Sequence, residues 1–147
     1  MSNLILLISD NSTVDRQLRH ALTCSAPVCR LKLTTKRAEI EPWHTPGLVL
    51  LDMMLAQEPA LDILRWFRAE PRYEEVPVFV LAPKTVNVND AYALGANSCL
   101  LHSPDQEGLG HIAHGIAAYA SLIAGSEGAR FTRRVSTSGP NAAPGLQ

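Results

Sequence analysis

The chain has 147 residues, 46% of them apolar, and a formal net charge of −1. That length suits one domain with a proper core, and the balanced charge excludes a bulk basic field for nucleic acid. No run is long enough to span a membrane and no basic-flanked leader opens the chain, so a cytoplasmic protein is expected, touching neither membrane nor nucleic acid.

Leu4 to Ile8 is an unbroken apolar run, the pattern of a parallel strand buried on both faces, and it leads into Ser9-Asp10. Ser12 or Thr13 is the expected N-cap of a first helix. Its apolar residues Val14, Leu18, Ala21 and Leu22 recur at helical spacing to about Cys24. Val28 to Leu33 alternates as an edge strand. Lys36 to Trp43 is expected as a short helix ended by Pro42 and Pro46. Leu48 to Leu51 is a third strand, closed by Asp52. Leu61, Leu64, Trp66 and Phe67 belong to a helix that stops before Pro71. Val76 to Leu81 is a fourth strand, Ala91 to Leu94 a fourth helix, and Cys99 to Leu101 a fifth strand. Leu109, Ile112, Ala113, Ile116, Ala120 and Ile123 form one apolar stripe on a long last helix, weakened locally by Gly108, Gly110 and Gly115.

Five strands alternating with five helices predict a flavodoxin-like, doubly wound α/β domain. It has a five-stranded parallel sheet and helices on both faces. The domain is expected over residues 1–125. From Ser126 onward Gly, Ser, Pro, Ala and Arg130, Arg133 and Arg134 replace the apolar pattern, which predicts a solvated, disordered tail over 126–147. The three cysteines Cys24, Cys29 and Cys99 have no CxxC spacing and read as reduced thiols.

Two strands place a carboxylate at their C-terminal ends, Asp10 and Asp52. In an open α/β sheet that edge is where ligands bind. Converging carboxylates there suit a hard cation or aspartyl chemistry. No glycine-rich phosphate loop and no nucleophile–base pair appears, so an enzyme is not expected. The capping alternative stands for both residues: Asp10 at the first helix, Asp52 at its loop. His111 and His114 sit three apart without a nearby carboxylate and read as helix-surface residues. Trp66 and Phe67 read as core.

In order and spacing, Leu-Ile-Ser-Asp-Asn, Leu-Val-Leu-Leu-Asp-Met-Met-Leu, Val-Pro-Val-Phe-Val-Leu and Leu-Gly-Ala-Asn-Ser carry a resemblance. Over about residues 3 to 124 the chain resembles a response-regulator receiver domain of the chemotaxis-regulator type. The segment Ala91 to Ser98, with Tyr119 late in the last helix, is most similar to the single-domain regulators paired with phytochrome-type kinases. The resemblance implies a two-component phosphorelay. Asp52 matches the aspartate that takes a phosphoryl group from the histidine of a sensor kinase or phosphotransfer protein. Asp10, Asp52 and the Met54 carbonyl match the magnesium-holding positions. Ser9 stands where the receiver pattern has a second acid and offers only a weak, neutral ligand.

Three further positions depart from the pattern. Ala82 replaces the strand-four hydroxyl, His102 the lysine after strand five, and Cys99 the switch aromatic. The proline that normally follows the lysine is shifted, to His102-Ser103-Pro104. Magnesium prefers oxygen ligands in octahedral array, so its affinity is expected to be weak. His102 replaces the lysine's charge only when protonated, a minority state at neutral pH, and it also reads as a plain surface-loop residue. Two functions follow. One is an atypical single-domain response regulator with Asp52 as an impaired phosphoacceptor and output through protein contact. The other is a phosphorylation-independent pseudo-receiver, a docking or dimerisation module. In both, the helix four–strand five–helix five face, with Tyr119, Leu122 and Ile123, is expected to bind a kinase or a second copy.

Overall fold

The computed structural model describes residues 3–40, 45–56, 58–103 and 106–124, with Gln106, Ile123 and Ala124 described by backbone alone. The expected tail, with Arg130, Arg133 and Arg134, lies outside the described residues, as do Trp43 and Pro104.

Five strands form one parallel sheet in the order β2-β1-β3-β4-β5. They are β1 (Leu4–Ile8), β2 (Arg30–Thr34), β3 (Leu48–Asp52), β4 (Val78–Pro83) and β5 (Ser98–His102). The three central strands are the apolar runs. All of β1 and β3 is buried, because helices cover both faces. The edge strands β2 and β5 are only partly buried and carry Arg30, Lys32 and His102. The α-helices are α1 (Ser12–Ser25), α2 (Ala60–Ala69), α3 (Asn89–Ala93) and α4 (Gln106–Ala124).

Alternation along each strand splits the core in two. Ile5, Leu7, Leu48, Leu50, Phe79 and Leu81 face α1 and α4, meeting Val14, Leu18, Leu22, Ile116 and Ala117. Leu6, Ile8, Val49, Leu51, Val78 and Val80 face α2 and α3, meeting Ile63, Leu64, Phe67, Tyr73 and Ala91. Each large aliphatic side chain so buried contributes about 1.5–3 kcal/mol. Trp66 flanks this second cluster, its ring 5.1 Å from Phe67 and 5.6 Å from Tyr73.

The structure corrects the expected elements in four places. The helix expected over Lys36 to Trp43 is a single 3-10 turn, Arg37–Glu39, and Ile40 is already extended. Pro42 disfavours a helical residue before it, and the Glu39 carboxylate accepts from the Thr35 backbone N–H at 2.8 Å, which closes the turn on itself. The α-helices among the described residues therefore number four rather than five. The cap of α1 is Asn11, whose Oδ1 accepts from Thr13 N at 2.9 Å and Val14 N at 3.4 Å, so the helix starts one residue earlier than a Ser12 cap allows. Strand β4 begins at Val78, because Val76 N turns back to Tyr73 O.

A half-buried latch holds the edge opposite the strands' C-terminal ends. The Arg68 guanidinium on α2 donates to Gly95 O at 2.9 Å, Val76 O at 3.0 Å and Asn97 Oδ1 at 2.6 Å. Asn97 Oδ1 also accepts from Val78 N at 2.8 Å, where the β4 ladder starts. Gly95 has φ +105°, and a Cβ there would come within 2.9 Å of Arg68 Cγ. The Leu94-Gly95-Ala96-Asn97 segment is thus the socket of Arg68.

Candidate functional site

Asp52 ends β3 and is buried, only 6% exposed. Its backbone neighbours set its orientation. Met53 N continues the ladder to Leu81 O, and the chain then turns so that Met54 N donates to Asp52 Oδ1 at 2.9 Å, an aspartate turn of the usual kind. The other carboxylate oxygen, Oδ2, accepts from the Ser9 hydroxyl at 2.7 Å. Ser9 is fully buried, and its Oγ accepts in turn from Asn11 N at 3.0 Å. Asp10, exposed beside it, accepts on Oδ2 from Ala56 N at 3.0 Å and ties the β1–α1 loop to the β3–α2 loop. Among the described residues no ion pair reaches Asp10 or Asp52.

These groups border a cleft of about 490 Å³ lined by Asp10, Asn11, Ser12, Val14, Asp52, Met54, Leu81, Pro83, His102 and Leu109. Four sequence-predicted residues therefore meet in one place: Asp10, Asp52, Met54 and His102. Ser9 is buried beside Asp52 rather than in the cleft lining, and its hydroxyl hydrogen is directed at the carboxylate. Ala82 is fully buried and presents only a methyl group. His102 Nδ1 lies 2.9 Å from Ser103 O. The carbonyl selects the tautomer with hydrogen on Nδ1 and leaves Nε2 an acceptor while the ring is neutral. Lys84, the residue after β4, is exposed and joins this edge through its backbone, Lys84 N donating to His102 O at 3.1 Å. No described lysine or arginine lines the cleft.

Oxygen donors from Asp10, Asp52 and the Met54 carbonyl are the hard set that magnesium takes. Among the described residues no group of three His, Cys, Asp or Glu side chains converges to hold a metal. Any cation here rests on two carboxylates, backbone and solvent oxygens.

Cys99 faces away from the cleft, on the α2–α3 side. Burial pushes its thiol up to about 11. Its backbone N–H donates to the Tyr92 hydroxyl at 3.2 Å, so an aromatic from α3 covers the sheet edge where the receiver pattern has one on β5. Tyr119 does not stand out from α4 as expected. Its ring packs 5.1 Å from Phe79, and burial raises its hydroxyl above the usual range. The exposed apolar side chains around β5 are Tyr92, Leu101 and Leu122, at 51, 41 and 58%. The side chain of Ile123 lies outside the described residues. With no α-helix described between β2 and β3, the predicted helix four–strand five–helix five face is α3–β5–α4.

The sequence reading did not single out Asn11, Tyr92 or Arg68. Only Asn11 carried a local signal, as a capping residue directly after the strand.

A five-stranded parallel sheet in the order 2-1-3-4-5, with an aspartate closing the middle strand and a second beside it, is the fold of response-regulator receiver domains. Solved structures bear this out. The chain is similar to the phosphorylated cyanobacterial phytochrome response regulator RcpA, at 24% identity and TM-score 0.71, over 81% of this chain and 94% of that one. It is similar to the Mn2+-bound form of response regulator Rcp1, at 25% identity and TM-score 0.68, over 77% and 90%. A receiver domain from Rhodospirillum rubrum matches at 20% identity and TM-score 0.71, over 81% and 94%. No family model and no curated protein matches the chain. Among the described residues no helix is long and apolar enough to cross a membrane.

Proposed function

We propose that the protein is a receiver in a two-component phosphorelay and that Asp52 is its phosphoacceptor. The observation that carries this reading is the convergence of Asp52 and Asp10 on one cleft at the C-terminal edge of the sheet. A carboxylate oxygen of Asp52 attacks the phosphorus of a phosphohistidine on a sensor kinase or phosphotransfer protein. A P–O bond forms, the P–N bond breaks, and the imidazole nitrogen keeps the electron pair. Asp10, Asp52 and the Met54 carbonyl would hold a divalent cation, as the likeness to the manganese-bound Rcp1 supports, and it would supply charge neutralisation for the phosphoryl oxygens. Ala82 provides no donor and no described lysine or arginine lines the cleft, so transfer is slow. Acetyl phosphate with magnesium should add one phosphoryl mass slowly, and Asp52→Asn should abolish it. No added mass under prolonged incubation refutes the phosphoacceptor reading.

A second reading draws on Tyr92, Leu101 and Leu122, exposed apolar side chains on α3, β5 and α4. Exposed apolar surface of this kind, where contiguous, marks contacts. Here the domain docks a kinase or a second copy through that face whether or not Asp52 is modified. Sedimentation of the wild type against a Leu101→Glu, Leu122→Glu variant tests it. A wild type that stays monomeric at high micromolar concentration, and whose kinase binding the variant does not weaken, refutes it.

A further inference from the structure

We propose that the Ser9 hydroxyl supplies, from β1, the phosphoryl contact that the receiver pattern takes from the end of β4. The inference rests on Asp52 being the phosphoacceptor. Ala82 is fully buried and has no polar atom to offer. Ser9 sits across the carboxylate from it. Its Oγ–H donates to Asp52 Oδ2 at 2.7 Å, and Asn11 N, donating to the same Oγ at 3.0 Å, fixes the hydroxyl from behind. The donor absent at 82 is therefore present at 9, within hydrogen-bond distance of the reacting group.

Charge supports the exchange. The receiver pattern sets three carboxylates against one lysine. This chain sets Asp10 and Asp52 against a hydroxyl and an imidazole, with no lysine. By formal charge, three carboxylates against one lysine and two carboxylates against none both leave two negatives. One anion and one cation have been lost together. Without a third carboxylate beside Asp52, less positive charge is needed to admit an anionic phosphoryl group.

The transfer also gives the hydroxyl somewhere to go. As the new P–O bond forms and the bond to the donor breaks, the leaving group departs with the electron pair and the Asp52 carboxylate becomes an acyl phosphate. Negative charge moves from the carboxyl oxygens to the phosphoryl oxygens. A hydroxyl hydrogen follows the charge, because hydrogen bonds to ionised acceptors are about twice as strong as neutral ones. Ser9 Oγ–H then turns from Oδ2 to a phosphoryl oxygen by rotation about its own Cβ–Oγ bond.

The test uses the full chain with acetyl phosphate and magnesium, read by intact mass for the labelled fraction and by its decay once the donor is removed. Ser9→Ala should lower the labelled fraction and shorten the lifetime, together by about tenfold, the loss of one charge-assisted hydrogen bond. Adding Ala82→Ser to Ser9→Ala returns a hydroxyl from the other strand and should recover most of that loss. Melting curves of all three proteins accompany the labelling. The double variant lacks the same Ser9–Asp52 bond, so recovery in it separates a phosphoryl contact from a folding defect. A labelled wild type with Ser9→Ala labelling and decaying alike overturns the inference alone, as does a folded double variant that recovers nothing. A wild type that takes no label overturns the phosphoacceptor reading, and this inference with it.

Discussion

Replacing Arg68 with Met should be the most destabilising single polar change in the described domain. Methionine keeps the length and the apolar stem while removing every donor. The Gly95 and Val76 carbonyls and the Asn97 amide oxygen lose partners at 2.9, 3.0 and 2.6 Å. The bonds to Tyr73 O and Glu74 O, both at 3.3 Å, are too long to add much. An acceptor left buried without a donor costs about 1–3 kcal/mol. The lower end applies here, because Arg68 is only half-buried, Asn97 is exposed and water can reach the vacated sites. Three such losses come to about 3 kcal/mol, or roughly 10 °C in melting temperature for a domain of this size. Burial lowers the Arg68 pKa, but a guanidinium stays charged in proteins, so the effect should not vary between pH 6 and 8. Arg68→Lys should recover at most a third, since one ammonium cannot span three acceptors in a fixed fork. Thermal and urea unfolding by circular dichroism measure both. A loss under about 1 kcal/mol for Arg68→Met, or a Lys variant as stable as the wild type, would show that the latch is ornamental. The latch lies at the opposite sheet edge from Asp52, so the folded variant should take label at the wild-type rate.

Gly95→Ala should lose about 1–2 kcal/mol by urea unfolding, because φ +105° strains any side chain and the new Cβ meets Arg68. Magnesium titration followed by amide shifts should move the loops around Asp10, Asp52 and Met54 with weak affinity, and Asp10→Ala should remove the response; an unchanged response would dismiss the assigned ligands. Stability should fall as pH rises from about 9 towards 11. The unfolded chain gives up its thiol proton near the ordinary value, while folded Cys99 holds it to about 11 and the Tyr119 hydroxyl is raised in the same sense. Cys99→Ala should flatten that fall in urea midpoints. A thiol reagent at neutral pH should modify exposed Cys24 first, with Cys99 the slowest of the three by mass spectrometry after digestion.

What was legible in the sequence follows the physics of each element. Strands β1, β3 and β4 were readable because burial on both faces makes an unbroken apolar run, which periodicity alone detects. From the strand ends followed the meeting of Asp10 and Asp52. The helix expected over 36–43 was misread in its described part, residues 36–40, because local helical propensity is a weak prior. A carboxylate five residues past the end of β2 closed the turn at Glu39 instead. The Asn11 cap lost out to Ser12 and Thr13 because all three are good caps and only the tight exit from β1 chooses between them. The Arg68 latch and the Ser9–Asp52 bond were out of reach. Their partners lie 27, 29 and 43 residues apart, and a single sequence carries no signal for such pairs. Ser9 was therefore read by what it replaces, a metal-holding acid, rather than by what it touches.

The same contacts bear on how a signal could leave the site. In the receiver pattern a strand-four hydroxyl moves toward the phosphoryl group and an aromatic on β5 follows it inward. Here Ala82 has nothing to move with, and Cys99 is a small thiol whose backbone is held by the Tyr92 hydroxyl. Tyr119, the other aromatic near that face, is packed on Phe79. A modification at Asp52 therefore has no hinged pair through which to rearrange α3–β5–α4. That face should present the same surface of Tyr92, Leu101 and Leu122 in both states. Any difference a partner reads must then lie at the cleft itself. The exposed Met54 side chain, the His102 ring and the Ala56–Asp10 tether stand around the carboxylate there. A partner that uses both regions gains constant affinity from the apolar face. It gains discrimination only from the cleft, where the charge of a phosphoryl group would meet the His102 ring.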